Sequence, residues 1–232
     1  MSSRKKAIRG RVMASLRSPT NILEVTDSGL LRLGDMVAQA LDGALKALAR
    51  SDLALADRVV RDDLEVNRLR YQLEEELVRR LSAAGGEEPR SLVGALYVLP
   101  ELERMGDHAE GIAKVALMLG PHPTLKVPGV ITEMGDRTLS MVNRALTALN
   151  KRDASLARAL CREDDDIDAL YDRAYQELIS TMVGEPRHIA EATYMLWVTH
   201  NLERIADRAT NVCERVVYLV TGHVEELNVS KY

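Results

Sequence analysis

Phenylalanine is absent from this chain of 232 residues, and aromatic side chains make up only 3% of it. A surface with so few rings offers little for stacking single-stranded bases. The net charge of −4 removes the global basic field that nucleic acid would need. Cysteine occurs twice, at Cys161 and Cys213, too few for a disulfide framework and in keeping with a reducing compartment. Both sit in helical patterns and are expected to be buried, inert thiols. No apolar run reaches the ~18 residues that mark a membrane span. The N-terminal stretch "MSSRKKAIRGRVMASLRSP" has no apolar segment behind its basic residues, so it does not read as a secretory signal. Glycine-rich phosphate loops and nucleophile motifs are missing too. Di-iron carboxylate bundles need Glu-x-x-His on two helices, and here it occurs once, as Glu185 and His188 of "EPRH" at a helix start. These absences point to a cytoplasmic protein that is not an enzyme.

What is present is leucine, valine, isoleucine, alanine and methionine at helical spacing, broken where glycine and proline cluster. The pattern predicts an all-α fold of six helices, over residues 27–50, 52–83, 89–119, 129–150, 153–183 and 186–222. The two halves repeat one another. "ALKALARSDLALADRV" from Ala44 matches "ALTALNKRDASLARAL" from Ala145, an offset of 101. In each, an Asp (Asp52, Asp153) stands where it can cap the next helix. "EPR" opens the third helix of both halves, and "LERMGD" from Leu102 returns as "LERIAD" from Leu202. Two tandem, duplicated, antiparallel three-helix bundles account for this order. The expected layout is a basic leader over 1–26, a first repeat over 27–120 and a Pro-rich linker over 121–128. A second repeat over 129–222 and a loose tail over 223–232 complete it. The leader carries Arg4, Lys5, Lys6, Arg9 and Arg11 and is expected to be a solvated tail.

Each repeat also carries two i,i+4 pairs of oxygen side chains. Asp63 and Asn67 lie on the second helix and Glu103 and Asp107 on the third. Asp164 with Asp168 and Glu203 with Asp207 are their counterparts. A like-charged i,i+4 pair costs a few tenths of a kcal/mol, so a duplicated set calls for a reason. Counted from the turn joining the two helices, the motifs of each repeat fall at the same height to within about one helical turn. They also lie well over a right angle from the apolar stripe of Leu102, Met105, Ala109, Ile112 and Ala116, and from its equivalent on the sixth helix. An open surface cluster of carboxylates is therefore expected, suited to a hard cation such as Mg²⁺, Mn²⁺, Ca²⁺ or iron. The alternative is a solvated acidic face neutralised by Arg104, Arg204 and Arg208. Asn67 puts a neutral amide where the other half has Asp168, so the first site is expected to bind more weakly. His108 and His200 occupy different positions in the two repeats and read as surface or capping residues. Pro100 reads as a simple kink.

Taken together, "LERMGDHAEGIAK", "LERIADRATNVCERV", "DDLEVN" and "DDDIDAL" resemble the duplicated signature of the PhoU family, over about residues 27–222. The resemblance implies two three-helix bundles whose acidic motifs hold surface iron, zinc, magnesium or manganese. The implied metal ligands are Asp63, Asn67, Glu103 and Asp107 in one bundle and Asp164, Asp168, Glu203 and Asp207 in the other. Asn211 matches a family position that is commonly Asn and is a further candidate ligand, with Gly111 standing in its place in the first repeat. The implied function is negative regulation of phosphate uptake and phosphate-starvation signalling. The protein would be a cytoplasmic, dimeric adaptor between the ATPase of a phosphate ABC transporter and a sensor histidine kinase, reaching the inner face of the membrane through these partners. The alternative left open is an accessory protein of an inorganic phosphate permease, or a metal-buffering helical protein without a signalling role.

Overall fold

Ser51 and Arg152 both adopt φ 52°, the left-handed region that few side chains enter. Each ends one helix and starts another in the same way. The N–H of Asp52 bonds the carbonyl of Ala47 at 3.0 Å, and that of Asp153 bonds Ala148 at 3.0 Å, the six-to-one bond of a Schellman turn. The two aspartates then cap the next helix as expected, accepting the N–H of Leu55 and of Leu156, each at 2.9 Å. The duplication thus extends to the hydrogen bonds of the turns.

The computed structural model describes residues 19–83 and 89–227, with side chains over 28–82 and 90–227. Among the described residues the helices are α1 (Pro19–Arg50), α2 (Leu53–Ala83), α3 (Pro89–Leu119), α4 (Gly129–Lys151), α5 (Ala154–Gly184) and α6 (Ile189–Thr221). The basic residues of the leader lie outside the described residues, as do 84–88 of the first inter-helix loop and 228–232.

Three expectations need correction. Helix α1 starts at Pro19, where the missing N–H costs nothing, so residues 19–26 belong to the first helix and not to a leader. The "EPR" of the second half opens as a three-residue 3₁₀ turn, Pro186–His188, before α6 begins. It is closed by the bond from His188 N–H to the Glu185 carbonyl at 2.9 Å. The tail is not loose over 223–227. Glu225 forms a bidentate pair with Arg158 of α5 at 2.7 and 3.0 Å, and Leu227 N–H donates to Glu214 of α6 at 2.8 Å.

The helices touch in the order α2–α3–α6–α5, with α1 packed on α2 and α3, α4 packed on α5 and α6, and α1 against α4. The repeats therefore meet along two seams, α3–α6 and α1–α4, and share one apolar core. Both predicted stripes point into it: Leu102, Met105, Ala109, Ile112 and Ala116 are at most 2% exposed, and Leu202, Ile205, Ala209, Val212 and Val216 are fully buried. Helix α3 runs unbroken through Pro100. Cys161 and Cys213 are free and buried. The adjacent Cys161 thiol, with burial behind it, pushes the Cys213 thiol far above the usual range, so Cys213 is not a nucleophile at neutral pH.

Candidate metal centres and the bridge between the repeats

Because α2 packs beside α3, and α5 beside α6, the four acidic motifs come together in two grooves. In the first, Asn67 donates its amide to Asp63 at 2.7 Å. Burial raises the Asp63 carboxyl to about 6, helped by the charges of Glu110, Asp107 and Glu103 and opposed by Lys114. Burial likewise raises Glu103, with Asp107 adding to it, and raises Asp107, with Glu110 adding to it. Glu110 is a member of this group that sequence reasoning missed. Its signal is its place one turn beyond Asp107 and two beyond Glu103 on the same face of α3.

In the second groove, burial raises Asp168, and the like charges of Asp207 and Glu203 add to it. Burial also raises Asp207, with Glu203 adding to it. Here an arginine intervenes. Arg204 pairs with Glu203 through Nε and Nη2 and reaches Asp207 with Nη1 at 3.0 Å. Its counterpart Arg104 is exposed, and among the described residues neither Glu103 nor Asp107 forms an ion pair.

The expected open surface cluster is corrected by this geometry. Asp63, Asn67, Glu103, Asp168, Glu203 and Asp207 are half-buried and only Asp107 is exposed, while Asp164 is 2% exposed. The angle from the core stripe was right, but the neighbouring helix of the row covers the flank that the acidic side chains occupy.

Among the described residues, no three His, Cys, Asp or Glu side chains already stand in coordination geometry. The donor chemistry nevertheless fits a hard cation. Every implied ligand is an oxygen donor, without the thiolate or imidazole that favours zinc, and the carboxylates raise one another's pKa in a way that a cation would reverse.

Asn211 lies elsewhere. Its amide donates to Glu101 of α3 at 3.0 Å, and Arg208 Nη1 approaches the same carboxylate at 3.4 Å. One hundred residues away in register, Asn201 replaces Glu101 and His108 replaces Arg208, and their side chains meet at 2.9 Å. The crossing of α3 and α6 is thus bridged twice by one device in two chemistries. Gly111 completes the second version: a Cβ there would lie 3.0 Å from Asn201 Oδ1, so an Asn like that at 211 would have to push the Asn201 side chain aside. His108 is accordingly not a surface or capping residue but a half-buried element of the seam, its pKa lowered by burial. His200 remains exposed, 4.0 Å from Glu203.

His188 has a different role. It is 6% exposed and contacts Thr124 Oγ1 and Glu191, each at 3.2 Å. Glu191 in turn accepts Thr124 N–H at 2.8 Å, Thr124 Oγ1–H at 2.7 Å and Leu125 N–H at 2.8 Å. Despite burial, those hydrogen bonds hold the Glu191 carboxyl at about 2. The lone "EPRH" motif is where the Pro-rich linker is tied to the start of α6.

Comparison with known proteins agrees with the duplication. The family model described as the PhoU domain matches twice, over residues 30–116 and 131–216. The chain belongs to the PhoU family. Among curated relatives, a phosphate-specific transport system accessory protein PhoU homolog of Clostridium acetobutylicum is 32% identical over 89% of this chain and 95% of its own length. One from Pseudomonas putida is 35% identical over 86% and 79%. The crystal structure of PhoU from Pseudomonas aeruginosa superposes with a TM-score of 0.84 at 32% identity, covering 89% of this chain and all of that one. The phosphate transport system regulatory protein PhoU from Streptococcus pneumoniae gives 0.83 at 32%, over 88% and 97%. No helix among the described residues is long and apolar enough to cross a membrane.

Proposed function

We propose that this PhoU chain is an accessory, regulatory protein of a phosphate transport system, acting by binding and without catalysis. The observation that carries the reading is the double PhoU match together with an acidic groove in each matched half. Asp63, Glu103 and Asp107 with Asn67, and Asp164, Asp168, Glu203 and Asp207, hold divalent or trivalent cations, with iron, magnesium and manganese fitting the oxygen donors best. The cation supplies positive charge that relieves the repulsion within each groove. As a homodimer on the cytoplasmic side, the protein links the transporter ATPase to a sensor histidine kinase and keeps phosphate-starvation genes repressed.

The test is alkaline phosphatase activity in a host lacking this gene and any second copy, grown in abundant phosphate. The expected result is high activity, returned to low by the wild-type gene. Unchanged activity would overturn the signalling role and favour the permease-accessory or metal-buffering reading.

A further inference from the structure

Arginines gather on the outer face of the α3–α6 crossing, between the two acidic grooves. Helices α1 and α4 pack on the opposite side of the row, so this face is open. On α6, Arg204, Arg208 and Arg215 lie within about 40° of one line, and on α3 the same line carries Tyr97, Arg104 and His108. Glu101 with Arg208 and Asn211, and His108 with Asn201, fix the register of the antiparallel crossing. Arg104 is thereby level with Arg208, and Arg204 with His108, each to within about one helical turn.

Three cations of this face are already engaged. Arg215 lies over the Tyr97 ring, 4.4 Å from its centre. Lys114, at the edge of the face, is held by Glu110 at 2.6 Å, and His108 is committed to Asn201. Two arginines are not so fixed. Arg104 is exposed and forms no ion pair among the described residues. Arg208 has a side chain only 24% exposed, with its Nε buried and without a partner. Its Nη1 stands 3.4 Å from Glu101, beyond the ~2.7–2.9 Å of a charge-assisted hydrogen bond. Glu101 is the one carboxylate of the crossing, and Asn211 holds it as well.

Arg204 can serve either side. It stands on the crest of α6, with Glu203 and Asp207 towards the groove and Asn201 and Arg208 towards the seam. In this structure the two acids hold it. A cation that neutralises Glu203 and Asp207 removes the reason for that orientation and frees the guanidinium to turn to the seam. There it would occupy the place that Arg104, its counterpart in the first repeat, already has. Three guanidinium forks around one point suit a tetrahedral dianion, which offers paired oxygens on several faces.

We propose that the α3–α6 crossing binds a phosphate dianion, held by Arg104 and Arg208 and completed by Arg204 once a cation occupies the second groove. The last step rests on the cation reading above. The phosphoryl group comes either as free inorganic phosphate or on a nucleotide. Cation and phosphate then strengthen each other's binding by the same factor, as linkage requires.

The experiment titrates sodium phosphate, and separately adenosine monophosphate, into the full-length protein by calorimetry. The protein is used metal-free and again after loading with Mn²⁺ and desalting, and circular dichroism checks each variant for unchanged helix content. Wild type should bind phosphate about tenfold tighter in the loaded form. Arg104→Gln and Arg208→Gln should each weaken it about tenfold in both forms. Arg204→Gln should do so in the loaded form only, and Arg215→Gln in neither. Tighter binding of adenosine monophosphate supports the site with a nucleotide as the source, and equal or weaker binding supports it with free phosphate. Phosphate that binds but is indifferent to Arg104→Gln and Arg208→Gln overturns the seam site, and so does a lack of binding to either form. Manganese uptake without a change in phosphate affinity overturns the completion by Arg204 and leaves the grooves standing. A chain that takes up no manganese overturns the cation reading, while the metal-free titrations still decide the two-arginine site.

Discussion

The two acidic grooves are the same device built with different neutralisation. In the second, Arg204 lies across Glu203 and Asp207, so the groove carries its own counter-charge. In the first, Lys114 pairs only with Glu110, at 2.6 Å, while Asp63, Glu103 and Asp107 crowd together without an ion pair among the described residues, and Asp63 is raised to about 6. Sequence reasoning ranked the first groove as the weaker cation site because Asn67 stands where the other half has Asp168. Side-chain placement adds the opposing effect, since a cation entering the second groove must first displace a guanidinium. The lesson is that ligand count does not rank two carboxylate sites when one has a resident cation of its own.

The α3–α6 seam shows the sharpest divergence between the repeats and gives the largest predicted effect. Gly111→Asn should cost about 2 kcal/mol through overpacking against Asn201. Asn211→Ala removes the bond to Glu101 without a glycine's helix penalty and should cost about 1–2 kcal/mol. Denaturant midpoints of the two variants measure this. Equal, negligible losses would mean that the seam does not depend on these bridges. Next, Arg204→Ala should tighten cation binding in the second groove by about tenfold, while Arg104→Ala leaves the first within about twofold, as read by calorimetric titration with Mn²⁺. If Arg104→Ala has the larger effect, the contrast drawn between the grooves is wrong.

A smaller effect is expected at Asp63. Its folded pKa of about 6 lies above the ordinary 3.8, so the folded chain favours the protonated form. That contribution to stability is full below about pH 4 and is lost as pH rises through about 6. In metal-free buffer, Asp63→Asn should therefore raise stability at pH 7 by about 1 kcal/mol, after allowance for solvent screening, and flatten the pH dependence between those values. Smallest of all, Ser51→Gly and Arg152→Gly should each add about 0.5–1 kcal/mol by easing φ 52°. The two gains should agree, because the turns are duplicates.

Those turns were legible in the sequence, since Asp52 and Asp153 act within three residues of themselves. The core stripes were legible for a similar reason: helical periodicity is a local property of one element. The grouping of Asp63 with Glu103 and Asp107 could be read as well, because an antiparallel pair fixes heights by counting from the turn. What escaped were contacts that depend on which flank a third helix covers. Asp164 is buried, Asn211 faces Glu101, His108 lies in the seam and Glu191 fastens the linker. In each case the partner lies on an element whose azimuth the sequence does not encode locally.

The measurement that bears most directly on the two-groove account is elemental analysis of the purified protein after loading with Mn²⁺ or iron and desalting. Three proteins are compared: wild type, Glu103→Ala with Asp107→Ala, and Glu203→Ala with Asp207→Ala. The account predicts that each double variant loses roughly half of the bound metal, and that the second loses thermal stability in chelator-free buffer. Metal content unchanged in both variants, or absent from the wild type, would contradict it.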